Sequence, residues 1–257
     1  MFRIPASPAR SAGEVRIIPM KRFWNTAIAS QTPDGVAILL DGRPMHLPGG
    51  AVLHVRSSRL AEAIAAEWQA AGGAPGGEMS FADTPLTRLA GTAQQRIAPD
   101  PAPTIDAIAR YGENDLLCYR AADPAALAQR QAREWQPWLD WAALTYDAPL
   151  RVASGIAPIR QHCGAVAALR RAVAAQEPEV LAALGLAVPA LGSLVLGLAL
   201  AEGRLDAAAA HALGALDELF QAEQWGEDAE AVARRAAIAA DIALAARFIV
   251  LSRREPA

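Results

Sequence analysis

The stretch Val36-Ala37-Ile38-Leu39-Leu40-Asp41-Gly42-Arg43-Pro44-Met45-His46-Leu47 decides the first half of the fold. Two extended, apolar-rich runs flank Asp41-Gly42, the pair that a type I′ hairpin asks for because both central residues take positive φ. Upstream, Thr32-Pro33-Asp34-Gly35 is a second turn, and the strand-like texture reaches back to Lys21. Downstream, Pro48-Gly49-Gly50 turns the chain into a further strand over Ala51 to Val55, which completes a four-strand meander. Ser57 and Ser58 are N-cap candidates for a helix reaching Ala71, in which Leu60, Ile64 and Trp68 recur on one face and should cover the sheet. Ala71 to Gly77 is a glycine and proline linker, and Thr84 to Ile97 reads as short helical or irregular. Pro99, Pro101 and Pro103 then mark a boundary.

Everything after Thr104 has helical texture. The chain is 53% hydrophobic and 20% charged, with much of the apolar fraction in alanine, a strong helix former. The expected fold class is α+β: an N-terminal β-meander plus helix domain over 1–98, its first 18 residues flexible, and a larger all-α domain over 99–257. Asp123-Pro124 supplies a cap and an N1 proline for a helix with Leu127, Trp135, Trp138 and Leu139 on its apolar side and a kink or restart at Pro137. Further helices are expected near Pro158 to Gln176, Ala190 to Glu202, Asp206 to Trp225 and Ala229 to Leu251. Val180 to Ala201 is uncharged and long enough to span a bilayer, but Pro189 divides it, glycines interrupt it and its flanks lack aromatic and basic anchors. A buried central helix preceded by a turn fits better, with no membrane insertion.

Several function classes drop out on composition. A formal charge of -3 and the lack of a basic patch with interleaved aromatics exclude a nucleic-acid partner. Lys21 is the sole lysine, which with the alanine excess points to a GC-rich bacterial gene. Met1 to Val15 is arginine-bearing and nearly free of acids, but Pro5 and Pro8 break any amphipathic transit helix, so it reads as a disordered lead-in. Cys118 and Cys163 are too few for a disulfide framework and read as free thiols packed in the core in a reducing compartment. His46, His54, His162 and His211 have no metal-ligand spacing, and Gly72-Gly73-Ala74-Pro75-Gly76-Gly77 lacks the lysine of a phosphate loop, so neither metal nor cofactor is expected. His162 beside Cys163 is a poor nucleophile and base pair, because adjacent helical residues point apart.

The acids near the end of the penultimate helix are more informative. At about 100° per residue, Leu205, Ala209, Leu213, Leu216 and Phe220 share an apolar stripe, while His211, Gly214, Glu218, Gln221 and Trp225 lie opposite. Gly226 would end this helix and Asp228 cap the next, which leaves Trp225 at an exposed corner or folded back against the last helix. Glu223 projects toward the apolar stripe, as a paired semi-buried acid or in a frayed last turn.

The motifs Lys21-Arg22-Phe23-Trp24, Leu40-Asp41-Gly42-Arg43-Pro44, Thr84-Pro85-Leu86-Thr87-Arg88-Leu89-Ala90-Gly91-Thr92-Ala93 and Asp115-Leu116-Leu117-Cys118-Tyr119-Arg120-Ala121 run in order along the chain. Gln131 with Trp135, Pro137 and Trp141, then Leu191-Gly192-Ser193, Asp217-Glu218-Leu219-Phe220-Gln221 and Trp225-Gly226 continue the series to near Leu251. In this order they resemble the assembly chaperones that bind the free alpha subunit of F-type ATP synthase. Gly91 departs from the asparagine common in that family. The resemblance implies no enzymatic activity, no cofactor, and shielding of the alpha surface that later meets the beta subunit. It implies a monomer in the bacterial cytoplasm, or in the mitochondrial matrix of eukaryotic relatives. It also implies a functional acid near the tryptophan-glycine pair, matched here by Glu218, with Asp217, Gln221, Glu223 and Trp225 as the partner-binding set. Two alternatives stand beside it: an enzyme using Glu218, Glu223 and Asp228 as acid and base groups, and a generic peptide or membrane adaptor.

Overall fold

The computed structural model describes residues 20–155 and 157–253. The flexible lead-in expected over 1–18 lies outside them. The strands are β1 (Met20–Lys21), β2 (Ala27–Thr32), β3 (Gly35–Leu40), β4 (Arg43–Pro44), β5 (His54–Val55), β6 (Glu78–Met79), β7 (Tyr119–Arg120) and β8 (Ala153–Ser154). The helices are α1 (Ser58–Ala70), α2 (Pro85–Thr92), α3 (Ala102–Ala109), α4 (Ala125–Tyr146), α5 (Cys163–Ala174), α6 (Pro178–Leu191), α7 (Leu194–Ala201), α8 (Ala207–Gly214), α9 (Leu216–Trp225) and α10 (Ala229–Ser252). This is the α+β arrangement expected, a small sheet with a covering helix followed by a helical remainder.

Asp41 and Gly42 take φ values of 47° and 79°, so the type I′ turn forms as its chemistry requires. Beyond it the meander is modified. β4 and β5 both pair antiparallel with β3, at Leu40↔Arg43 and at Val36↔Val55, so β5 lies along the edge that β4 began. The intervening segment leaves the sheet because its apolar residues Met45, Leu47 and Leu53 are all buried, with Leu47 seated against Gly91 of α2. β1 belongs to no meander; it pairs with β6 across the glycine linker. Arg22 closes that linker from inside: 3% exposed, its guanidinium donates to the carbonyls of Trp24, Asn25, Gln69 and Gly73. Trp24 packs tilted against Trp68, ring centres 4.9 Å apart, and donates to the Trp68 carbonyl.

Two half-buried or buried acids cap helices other than their own. The Glu67 carboxylate accepts from the amides of Leu86 and Thr87 at the start of α2, whose N-cap Thr84 makes no side-chain cap bond. Asp115, fully buried, accepts from Leu117 and, across 80 residues, from Val195 in the first turn of α7. Burial pushes both carboxyls above their ordinary range, and the amide hydrogen bonds pull them partly back. The motifs Asp115–Ala121 and Leu191-Gly192-Ser193 therefore meet: Leu116 donates to the Gly192 carbonyl, and Ser193 caps α7.

Several helix boundaries differ from expectation. α4 runs unbroken through Pro137, and α6 runs through Pro189 to end at Gly192, whose φ is 63°. Both prolines lie on exposed faces, as do Arg133 and Gly185 four residues earlier, so the carbonyl each proline leaves without its helical donor is on the solvent side of the helix. The uncharged stretch near Val180 thus forms two helices, α6 and α7; among the described residues no helix is long and apolar enough to cross a membrane. Pro124, rather than Asp123, occupies the N-cap of α4. α5 starts late, at Cys163, with His162 as N-cap accepting from Gly164 through Nδ1. Cys163 is consequently exposed, contrary to the packed thiol expected, whereas Cys118 is buried and its pKa is pushed up to about 12 by desolvation. α10 packs against α6 and α8 and also against α1 and α2.

Candidate functional site

Gly214 and Ala215 split what the sequence presents as one helix from Asp206 to Trp225. α8 passes so close to the end of α6 that a Cβ on Gly214 would sit 3.2 Å from Leu191 Cδ2 and 3.3 Å from its carbonyl oxygen. Ala215 then leaves helical geometry at φ -95° and ψ 10° before α9 begins. One helical wheel through both segments therefore fails. Within α9 the expected division survives: Leu216 is buried and Phe220 half-buried, while Gln221 and Trp225 face solvent on the other side.

α9 is held on α4 by polar contacts. Gln131, 1% exposed, donates to the Asp217 carboxylate at 2.7 Å and accepts from the Ala121 amide at 2.7 Å. Trp135 of α4, fully buried, ties the end of α8 rather than α9 by donating to the Leu213 carbonyl at 3.0 Å, and the Arg120 guanidinium lies 5.1 Å from its ring centre. Arg130 Nη1 reaches both oxygens of Glu223 at 2.8 and 2.7 Å, so Glu223 is paired, though exposed rather than semi-buried.

The opposite side of α9 meets α10. Glu218 is 3.1 Å from Arg234 and 4.0 Å from Arg235; Arg235, 8% exposed, pairs with Glu227 at 2.9 Å. Glu218, Arg235 and His211 line a cavity of about 60 Å³, where His211 Nε2 is buried without a hydrogen-bond partner. Gly226, at φ 88°, ends α9, and Asp228 caps α10 by accepting from Ala231. Between these two devices Trp225 stands 79% exposed, so it is the open corner, not the folded-back packing, that forms.

The structure thus brings Asp217, Glu218, Gln221, Glu223 and Trp225 onto one ten-residue helix, but on two flanks. Asp217 and Glu223 bind α4, Glu218 binds α10, and Gln221 and Trp225 make no hydrogen bond or ion pair among the described side chains. The three acids weighed as catalytic groups do not converge: Glu218 pairs with Arg234, Glu223 with Arg130, and Asp228 is a helix cap. Among the described residues no three His, Cys, Asp or Glu side chains gather as metal ligands. Sequence reasoning missed Arg130, Arg234 and Arg235, the counter-ions of this corner. The adjacent pair Arg234-Arg235, one helical turn past an acidic run, was the available signal.

The family model described as ATP12 chaperone protein matches residues 21–143. The chain is similar to the crystal structure of Atp12 from Paracoccus denitrificans, with a TM-score of 0.85 and 42% identity over 91% of this chain and 98% of that one. A variant of that Paracoccus protein, with one aspartate replaced by lysine, superposes with the same TM-score of 0.85 and 42% identity over the same shares of both chains, 91% and 98%. A chaperone candidate from Agrobacterium tumefaciens gives a TM-score of 0.84 and 37% identity, covering 91% of this chain and 87% of that chain.

Proposed function

The chain belongs to the ATP12 chaperone family, and from that premise we propose that it is a non-enzymatic chaperone of F-type ATP synthase assembly, acting as a cofactor-free monomer in the bacterial cytoplasm. It binds the unassembled alpha subunit and shields the face that later meets the beta subunit. The observation that supports this reading best is Trp225, a large aromatic side chain 79% exposed at a corner fixed by two helix ends. Tryptophan is the residue type most enriched at binding hot spots, because it offers wide apolar contact at little entropic cost. Subunits of an alternating ring expose apolar faces before assembly, and these aggregate unless covered. Trp225 would anchor on such a face, with Gln221 and Glu218 supplying polar contacts that a true neighbour can displace. The Glu218–Arg234 pair is solvent-exposed, and such pairs contribute about 0–1 kcal/mol, so a basic group on the partner can replace Arg234 at little cost. Asp217 and Glu223 join the same surface while tying α9 to α4.

The test is capture of separately purified alpha and beta subunits by the immobilised chaperone. Free alpha should be retained and beta should not. Equal retention of both, or of neither, overturns the reading.

A further inference from the structure

A second cavity, among the described residues, shares no lining residue with the α9 corner. It has a volume of about 720 Å³ and is lined by Arg110 from the end of α3, Arg160 from the coil before α5, and Arg170 from α5, with Asp106, Glu113 and Cys163. The surrounding sequence is one-sidedly basic: from 148 to 176 it contains Arg151, Arg160, Arg170 and Arg171 and no acid, in a chain whose net charge is -3. Arg170 is neutralised by Asp106 at 2.6 Å, whereas the guanidinium groups of Arg110 and Arg160, both exposed residues, make no ion pair or hydrogen bond among the described residues. Two arginine forks left unpaired against a single remaining acid, Glu113, leave the cavity lining with one net positive charge. The α5 terminus is not the source of this, since its Gly164 amide is already bonded to His162.

We propose that this cavity binds a compact polyanion carrying two or more phosphate groups, held by Arg110 and Arg160. The planar guanidinium fork matches phosphate oxygens two at a time, and ligand cavities of this size are the usual ones for small molecules. A site of this kind is separate from the α9 corner and does not rest on the chaperone reading.

Cys163 provides a built-in reporter, because it lines the cavity and is exposed while Cys118 is buried. Alkylation of Cys163 by iodoacetamide, a neutral reagent, is followed by intact mass with inorganic pyrophosphate, with a nucleoside triphosphate, with a glutamate-rich peptide, and with chloride at matched ionic strength. Pyrophosphate should slow alkylation about tenfold once it exceeds its Kd about ninefold, since only the unoccupied tenth then reacts. Greater protection by the nucleotide than by pyrophosphate would identify the ligand as nucleotide-borne phosphate, and equal protection a free one; both support the site. The double variant Arg110→Gln/Arg160→Gln should lose the protection while capturing the alpha subunit as before. Arg160→Gln alone, in coil, serves if the double variant does not fold. Absence of protection by pyrophosphate up to about 10 mM, equal protection by chloride, equal or better protection by the peptide, or protection unchanged in the variants would each overturn the assignment.

Discussion

Trp225 and Leu216 sit on one helix nine residues apart and should respond oppositely to truncation. Leu216 is 3% exposed, so Leu216→Ala leaves a cavity and should lower stability by about 2–5 kcal/mol. Trp225→Ala removes a side chain in water and should change stability by no more than about 0.5 kcal/mol, yet weaken alpha-subunit binding by about 2 kcal/mol or more. Glu218→Lys replaces one partner of an exposed pair with a charge that repels Arg234 and Arg235, so it should cost about 1 kcal/mol of stability and a larger share of binding. Melting temperature and alpha capture measured side by side separate the three. Normal capture by both Trp225→Ala and Glu218→Lys would remove the corner from the interface.

At the scale of the element, the sequence was legible wherever a local rule decided the outcome. Asp41-Gly42 made its hairpin, Leu60, Ile64 and Trp68 turned one face of α1 to the core, and Asp228 capped α10. The break between α8 and α9 was not legible because the one residue in Leu213-Gly214-Ala215-Leu216 that weakens a helix, Gly214, is commonly tolerated inside one; its origin is the close pass of α8 over Leu191, a contact between residues distant in sequence. Gly214→Ala tests that origin. The added methyl must displace Leu191, which outweighs the gain in helix propensity, and should destabilise by about 1 kcal/mol net, read as a fall in melting temperature; a rise would show that the break needs another cause. The counter-ion of Glu223 was hidden for the same reason, since Arg130 lies 93 residues away.

Asp115 was visible in sequence as part of a motif, but its job, capping α7 from inside the core, was not. Its raised pKa has a definite sign. The neutral form is favoured in the fold, so this contribution is fully present below the ordinary value of 3.8 and is lost as pH rises through the folded pKa. Asp115→Asn keeps one acceptor for two amides and should destabilise at neutral pH by about 1–3 kcal/mol. Relative to the parent chain, that deficit should widen as pH falls toward 3.8, because only the parent gains from protonation. Denaturant unfolding at several pH values measures it, and a deficit that shrinks in acid would contradict the assignment of Asp115 as a carboxylate destabilised by burial.

The proposed division into units over 1–98 and 99–257 has to accommodate α10, which ends the second unit but packs on α1 and α2 of the first. Ser57, the N-cap of α1, donates its hydroxyl to the carbonyl of Leu251 at 2.6 Å, and Arg56 pairs with Glu177 at 2.8 Å across the same junction. Phe248 and Ile249 of α10 are 0% and 1% exposed, so the last helix fills the core while also backing the first. Coupling of this sort should make the two units unfold as one. Tryptophan reports on both, since Trp24 and Trp68 belong to the first and Trp135 to the second, whereas far-UV circular dichroism reports mainly on the helices of the second. Thermal melts by the two probes should therefore coincide. Phe248→Ala, which removes a fully buried ring and should cost about 3–5 kcal/mol, should shift both probes down together. Two separated transitions, or a Phe248→Ala shift confined to the circular dichroism signal, would show that the sheet unit stands without α10 and that the contacts at Ser57 and Arg56 are incidental to its stability.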